Sequence, residues 1–162
     1  MQGVRALAVP VTLGDAGYSG TPLARKLGLK DGQAVAFVGL PESLAALAEA
    51  RLFRRIETTP DWRALPEGAR DIIHVITTSA AEVDRALPVL RDLIEPEGAI
   101  WVSWPKKASK VPTDVTEDVI RNRALADVLV DVKVCAVDAV WSGLKLVVRR
   151  EARAGHANAR RG

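Results

Sequence analysis

Sulfur, imidazole and aromatic groups are all scarce in this chain. One cysteine, Cys135, stands among 162 residues, so the chain alone builds no intramolecular disulfide, zinc ribbon or cysteine-held cluster. Two histidines, His74 and His156, are too few and too separated to suggest a metal centre. Aromatics make up 4% of the residues, which leaves Ala, Val, Leu and Ile to fill the core. No apolar run approaches the ~20 residues of a membrane helix. The N-terminal VRALAVPVTLGDAG is too short in its apolar part, and broken by Pro10, to read as a secretory leader. A cytoplasmic protein is expected. Also missing are a glycine-rich phosphate loop, a G-x-S-x-G elbow and an H-E-x-x-H pair.

What is present suits one globular domain: 48% hydrophobic and 27% charged residues, long enough to bury a core without staples. The net charge of +3 is concentrated at the end of the chain. RREARAGHANARRG holds five arginines against one glutamate, and the rest has 18 basic and 19 acidic residues. That balance argues against nucleic-acid binding by the folded body. The expected organisation is an irregular segment over 1–20, a single α/β domain over 21–150 and a disordered basic tail over 151–162.

Apolar runs bounded by glycine and proline predict six strands, at about 33–38, 54–58, 71–77, 98–104, 129–137 and 144–149. Between them lie helical signals. Thr21 and Pro22 open a short helix ending at Gly28. Pro41 opens another, with Leu44, Leu47, Ala48 and Leu52 on one face. Ser79 with Glu82 forms a capping-box pattern for a helix to about Ile94, which Pro88 should kink or split. Asp114 with Glu117 marks a further helix start. Strands separated by helices imply parallel pairing, and the last two, joined by a short turn, imply an antiparallel end.

Several stretches resemble a known domain. LGLKDGQAVAFVGLP resembles the entry to a class I S-adenosylmethionine-dependent methyltransferase domain, where a helix and glycine turn lead to a strand and a G-x-G loop. ALPEGARDIIHVIT resembles the strand that follows in that fold. LRDLIEPEGAIWVSW resembles its L-x-P-G-G turn and strand, with Glu97 at the first glycine. The resemblance implies a methyltransferase-like Rossmann three-layer sandwich, with a mostly parallel six-stranded sheet and an antiparallel last strand. Two departures fall where the cofactor belongs. Phe37 stands where an acidic residue is expected, and Pro41 where the second glycine is. GYSGTPLARKLGLKDG, WVSWPKKASKVPTDVTEDVIR and DVKVCAVDAVWSGLKLVVRR also resemble an uncharacterised bacterial family, which implies a small stand-alone protein and imports no activity.

The expectation is therefore a domain with a degenerate cofactor loop and no cofactor. It would serve as a non-catalytic binding or regulatory module for a small anion, a nucleotide-like ligand or a protein partner. The alternative is a divergent S-adenosylmethionine-dependent methyltransferase with Glu57 on the ribose. A third reading is a homodimer meeting through Trp141. In an open α/β sheet, ligands bind outside the carboxyl ends of the strands. That edge should collect Gly39, Glu42, Glu57, Thr58, Thr59, Thr77, Thr78, Ser79, Trp104, Lys106 and Lys107, with the lysines offered to an anion and Trp104 to a planar ring. Tyr18, Ser19 and Thr21 form a second candidate group. Cys135 and His74 are expected to be core residues.

Overall fold

The computed structural model describes residues 22–158; the segment 1–20, with Tyr18 and Ser19, and Thr21 lie outside them. Six strands form one sheet: β1 (Ala34–Val38), β2 (Arg55–Thr59), β3 (Arg70–Ile76), β4 (Ile94–Pro105), β5 (Leu129–Ala136) and β6 (Trp141–Val148), in the spatial order β2-β1-β3-β4-β6-β5. β1 to β4 are parallel, and β6 is antiparallel to both β4 and β5. The expected mixed sheet and its antiparallel last strand are both present.

Strand alternation divides the core into two layers. On the first face Ala36, Val38, Ile73, Val75, Ile100, Val102 and Trp104 pack under α2 (Ala80–Arg91) and α3 (Glu117–Leu125). On the second face Val35, Phe37, Ile72 and Trp101 meet Ala24 and Leu27, from α1 (residues 22–26) and the turn after it, together with Leu44 and Leu47. β1 and β3 carry apolar side chains on both faces because both faces are covered, which is why their sequences read as unbroken apolar runs.

Four local expectations are corrected. The segment after Pro41 is a 3₁₀ helix, Glu42–Glu49, not an α-helix. Leu44 and Leu47 are three apart, so they stack in a helix of three residues per turn, and Leu52 is left 81% exposed. Pro88 neither splits nor ends α2, which runs unbroken to Arg91. The proline deprives the Asp84 carbonyl of its helical N–H, and Arg123 Nε of α3 donates to that carbonyl at 3.4 Å instead. Asp114 does not open α3. Thr116 caps it by accepting from the Val119 N–H, while Asp114 Oδ1 accepts from the Ala80 N–H at 2.7 Å and so caps α2.

The fourth correction concerns the chain end. Residues 151–158 were expected to trail free, but they fold back under the amino edge of the sheet. His156 is buried and its Nε2 donates to the Ile94 carbonyl at 2.8 Å. Asn158 Nδ2 donates to the carbonyls of Asp92 and Ile94. The signal was hidden because one small turn of alanines and glycine carries no apolar period. Residues 159–162 of that expected tail lie outside the described residues.

Candidate functional site

Four parallel strands deliver their carboxyl ends to one edge, and the sequence at each end decides its shape. β1 ends in Gly39, whose φ of +73° suits a residue without Cβ. Its N–H donates to the Thr59 carbonyl at 2.8 Å, and a Cβ there would lie 2.6 Å from the Ile76 carbonyl oxygen. The single glycine thus lets the β1 loop press into the crevice between β1 and β3. This is the switch point of the sheet, since β2 and β3 lie on opposite sides of β1.

Beside it a cavity of about 370 Å³ is lined by Gly39, Leu40, Thr58, Thr59 and Pro60, a volume within the range of small-molecule sites. Thr58 is exposed, and Thr59 closes a turn by bonding with Asp61 through its hydroxyl. The turn that follows, Trp62–Ala64, is clamped to α2: Trp62 Nε1 donates to Glu82 at 3.0 Å, and Arg63, lying over the Trp62 ring, pairs with Glu82 at 3.1 Å. One wall of the cavity is therefore fixed to the body.

Glu57 does not point to this cavity's lining. Its carboxylate is held by Arg70 (Nε at 2.7 Å, Nη2 at 3.0 Å) and by Arg55 (2.9 Å). Arg70 is fully buried and also donates to the carbonyls of Gly68 and Pro66. Burial alone raises the Glu57 pKa, but the hydrogen bonds from the two guanidinium groups outweigh it and hold the carboxyl below its ordinary range.

At the end of β3, Thr77 accepts from the Ser79 N–H, and Ser79 caps α2 by accepting from the Glu82 N–H. The Thr78 carbonyl accepts from the Thr113 hydroxyl at 2.8 Å. With Asp114 on Ala80, the loop after β4 is tied across this end of the sheet. Residues 113 and 114 were missed as rim residues; the D-x-x-E spacing pointed to a different helix.

Trp104 is 9% exposed and belongs to the core under α2 and α3, so its ring is covered rather than offered to a ligand. Lys106 is half-buried, with its N–H on the Val140 carbonyl, and Lys107 begins a short exposed 3₁₀ turn. Glu42 is exposed at the start of the 3₁₀ helix Glu42–Glu49. Gly39, Thr58 and Thr59 thus share one cavity, whereas Thr77 to Ser79 and Lys106 to Lys107 lie on the two neighbouring loops of the same edge.

His74 is buried between Phe37 and Trp101, and its Nε2 shares a 2.7 Å hydrogen bond with Ser103 Oγ. Burial lowers its pKa to about 3, so it is neutral. Cys135 is half-buried, and desolvation pushes its thiol up, against the pull of Lys26 and Lys133.

The whole arrangement has counterparts among solved structures. A magnesium protoporphyrin IX methyltransferase from Synechocystis PCC 6803, with bound SAM, matches with a TM-score of 0.59 at 16% identity, over 82% of this chain and 79% of that one. A SAM-dependent methyltransferase from Aquifex aeolicus matches with a TM-score of 0.59 at 16% identity, over 79% and 89%. The fold is that of the methyltransferases. A tRNA methyltransferase from B. subtilis shares it as well, with a TM-score of 0.56 at 10% identity, over 90% of this chain and 70% of that one. No family model matches the chain, so the resemblance to an uncharacterised bacterial family gains no support. No curated protein matches it either. The bound SAM and SAH of the Synechocystis structures overturn two expectations: that a domain of this kind carries no cofactor, and that its best reading is a non-catalytic module. Both had been drawn from Phe37 and Pro41 alone. Gly39 nevertheless preserves the close backbone approach at the switch point, where a crevice opens.

Proposed function

We propose that the chain is a divergent S-adenosylmethionine-dependent methyltransferase that holds its cofactor at the carboxyl ends of β1 and β2. The observation that carries this reading is the cavity at Gly39, Leu40, Thr58, Thr59 and Pro60, beside the switch point of a methyltransferase-type sheet. Its lining fits the adenosine half of the cofactor. Gly39 lets backbone come close, Leu40 and Pro60 offer apolar surface, and Thr58 offers a hydroxyl toward ribose. When bound, S-adenosylmethionine supplies an electrophilic methyl group on a sulfonium.

The chain's own residues do the rest by binding and orientation. Glu57 is already neutralised by Arg70 and Arg55, so the ribose is held without a carboxylate. The loops Thr77–Ser79 and Lys106–Lys110 border the acceptor side. Lys106, Lys107 and Lys110 make no ion pair within 4 Å among the described residues, which favours an acceptor that bears negative charge. His74 is too deeply buried to take a proton from that acceptor.

Calorimetric titration with S-adenosylmethionine and S-adenosylhomocysteine tests the reading. Binding in the low-micromolar range, weakened by Thr58→Val and abolished by Gly39→Val, is expected. Absence of heat and of thermal stabilisation at millimolar ligand would overturn it.

A further inference from the structure

All seven lysines of the chain fall into two groups. Lys106, Lys107 and Lys110 sit on the rim loop. The other four, Lys26, Lys30, Lys133 and Lys145, gather on the second face of the sheet near its β5 edge. Lys133 and Lys145 are directly opposite each other across the β5–β6 ladder. Lys145 in turn lies opposite Trp101, which fixes both lysines on the face covered by α1. Lys133 Nζ donates to the carbonyl of Lys26 at 3.0 Å and so draws α1 into the group. Lys26, Lys30 and Lys133 are exposed, and Arg25 is exposed beside them.

Like charges placed directly opposite on a sheet destabilise it. Proteins ordinarily relieve such a pair with a carboxylate. Here no carboxylate of the described residues lies within 4 Å of any of the four lysines, and every ion pair among those residues is made by an arginine. Burial, then the charges of Lys133 and Lys30, hold the Lys145 ammonium below its ordinary pKa. An external polyanion removes the repulsion.

We propose that this face binds the phosphate backbone of a nucleic acid. Ammonium groups are compact point charges suited to backbone phosphates rather than to reading bases. A membrane surface fits less well, because an interfacial patch needs apolar side chains beside its lysines. Leu52 and Ile56, exposed apolar residues, sit at the opposite β2 edge, and Val134, paired with Leu144, belongs to the first face, which leaves Val132, at the β5 bulge, as the single large exposed apolar side chain of the described residues next to Lys133. Lys145 lies four residues along β6 from Trp141 at the rim, ~13 Å at strand rise. A strand lying on the patch is thus within reach of the rim lysines. The near-neutral count of the body hides this patch, because acids that lie elsewhere offset the lysines in the sum.

The test compares the full-length protein with Lys133→Gln/Lys145→Gln, using fluorescence anisotropy of a labelled single-stranded RNA of mixed sequence from about 50 to about 200 mM salt. Four phosphate contacts on a single strand predict a slope of log K against log salt near −2.8, and the variant should fall toward −1.4 with binding at least tenfold weaker at the low-salt end. Its urea midpoint should stay close to the wild-type value, since relief of the repulsion offsets the loss of the Lys133 bond to the Lys26 carbonyl. Identical RNA affinity and slope in both proteins overturns the proposal. So does weakened binding accompanied by a lower urea midpoint. Lysine-dependent binding to phosphatidylserine vesicles, with RNA binding unchanged, assigns the patch to membranes and also overturns it.

Discussion

Replacing Glu57 with Gln separates two roles for this residue. The sequence offered Glu57 as a ribose ligand; the structure engages it with a fully buried Arg70 and with Arg55. Removing one partner of a buried pair leaves the other charge uncompensated, which costs about 3–5 kcal/mol. Two backbone carbonyls, those of Gly68 and Pro66, remain on Arg70 but carry no charge to answer it. A domain of this size is stabilised by roughly 5–15 kcal/mol in total, so Glu57→Gln should remain folded with its Tm lowered by roughly 6–20 °C. Urea unfolding at neutral pH measures the loss. The double variant Glu57→Leu/Arg70→Met removes both charges and should recover to within about 2 kcal/mol of wild type. The pH dependence follows with a definite sign. The folded Glu57 pKa lies below its unfolded value, so its contribution is complete above the unfolded value of about 4.3 and is lost as pH falls through the folded value. Wild type and Glu57→Gln should therefore draw together only as pH falls below the unfolded value and on through the folded one. A loss under about 1 kcal/mol, accompanied by weaker S-adenosylhomocysteine binding, would refute the reasoning and return Glu57 to the ligand.

His74 should make stability depend on pH in a second window. Its folded pKa is about 3 against an ordinary 6.5, so the fold favours the neutral form, and each pH unit below 6.5 should cost up to ~1.4 kcal/mol until the folded value is reached; His74→Gln should flatten that part of the profile in urea titrations. Gly39→Ala places a Cβ against the Ile76 carbonyl at positive φ and should cost about 2–4 kcal/mol, read as a lower urea midpoint. His156→Ala leaves the Ile94 carbonyl with Asn158 alone and should cost about 1–2 kcal/mol, whereas a midpoint equal to wild type would show that the chain end contributes nothing.

The sheet was legible because burial on both faces leaves a plain mark. AVAFV and RDIIHVI are apolar at consecutive positions, and only a strand covered from both sides needs that. The alternation in LVDVKVCA and WSGLKLVV marked the end of the sheet for the complementary reason. What escaped was decided by partners distant in sequence. Nothing near Pro88 announces that Arg123 will donate to the carbonyl it orphans, and nothing near Asp114 announces that Ala80 needs a cap. The site divided the same way. Gly39, Thr58 and Thr59 were found because strand ends define the edge, while Glu57 was assigned to that edge although Arg70, thirteen residues on, engages it.

Charge was the least legible property, and the reason lies in how the two cations are used. Arginine presents a planar fork that pairs carboxylates at fixed geometry, and the ion pairs of the described residues are arginine pairs throughout. Ten acids of the described residues are engaged in such pairs, Glu57 with Arg70 and Asp127 with Arg91 among them. Lysine is left to the surface, where the ladder aligns Lys133 with Lys145. A net count adds both populations and returns nearly zero for a body that carries an unanswered cationic face. Counting only the cations the acids do not neutralise gives a different expectation for the partner, and it requires the register of β5 on β6, which no spacing in DVKVCAVDAVWSGLK reveals.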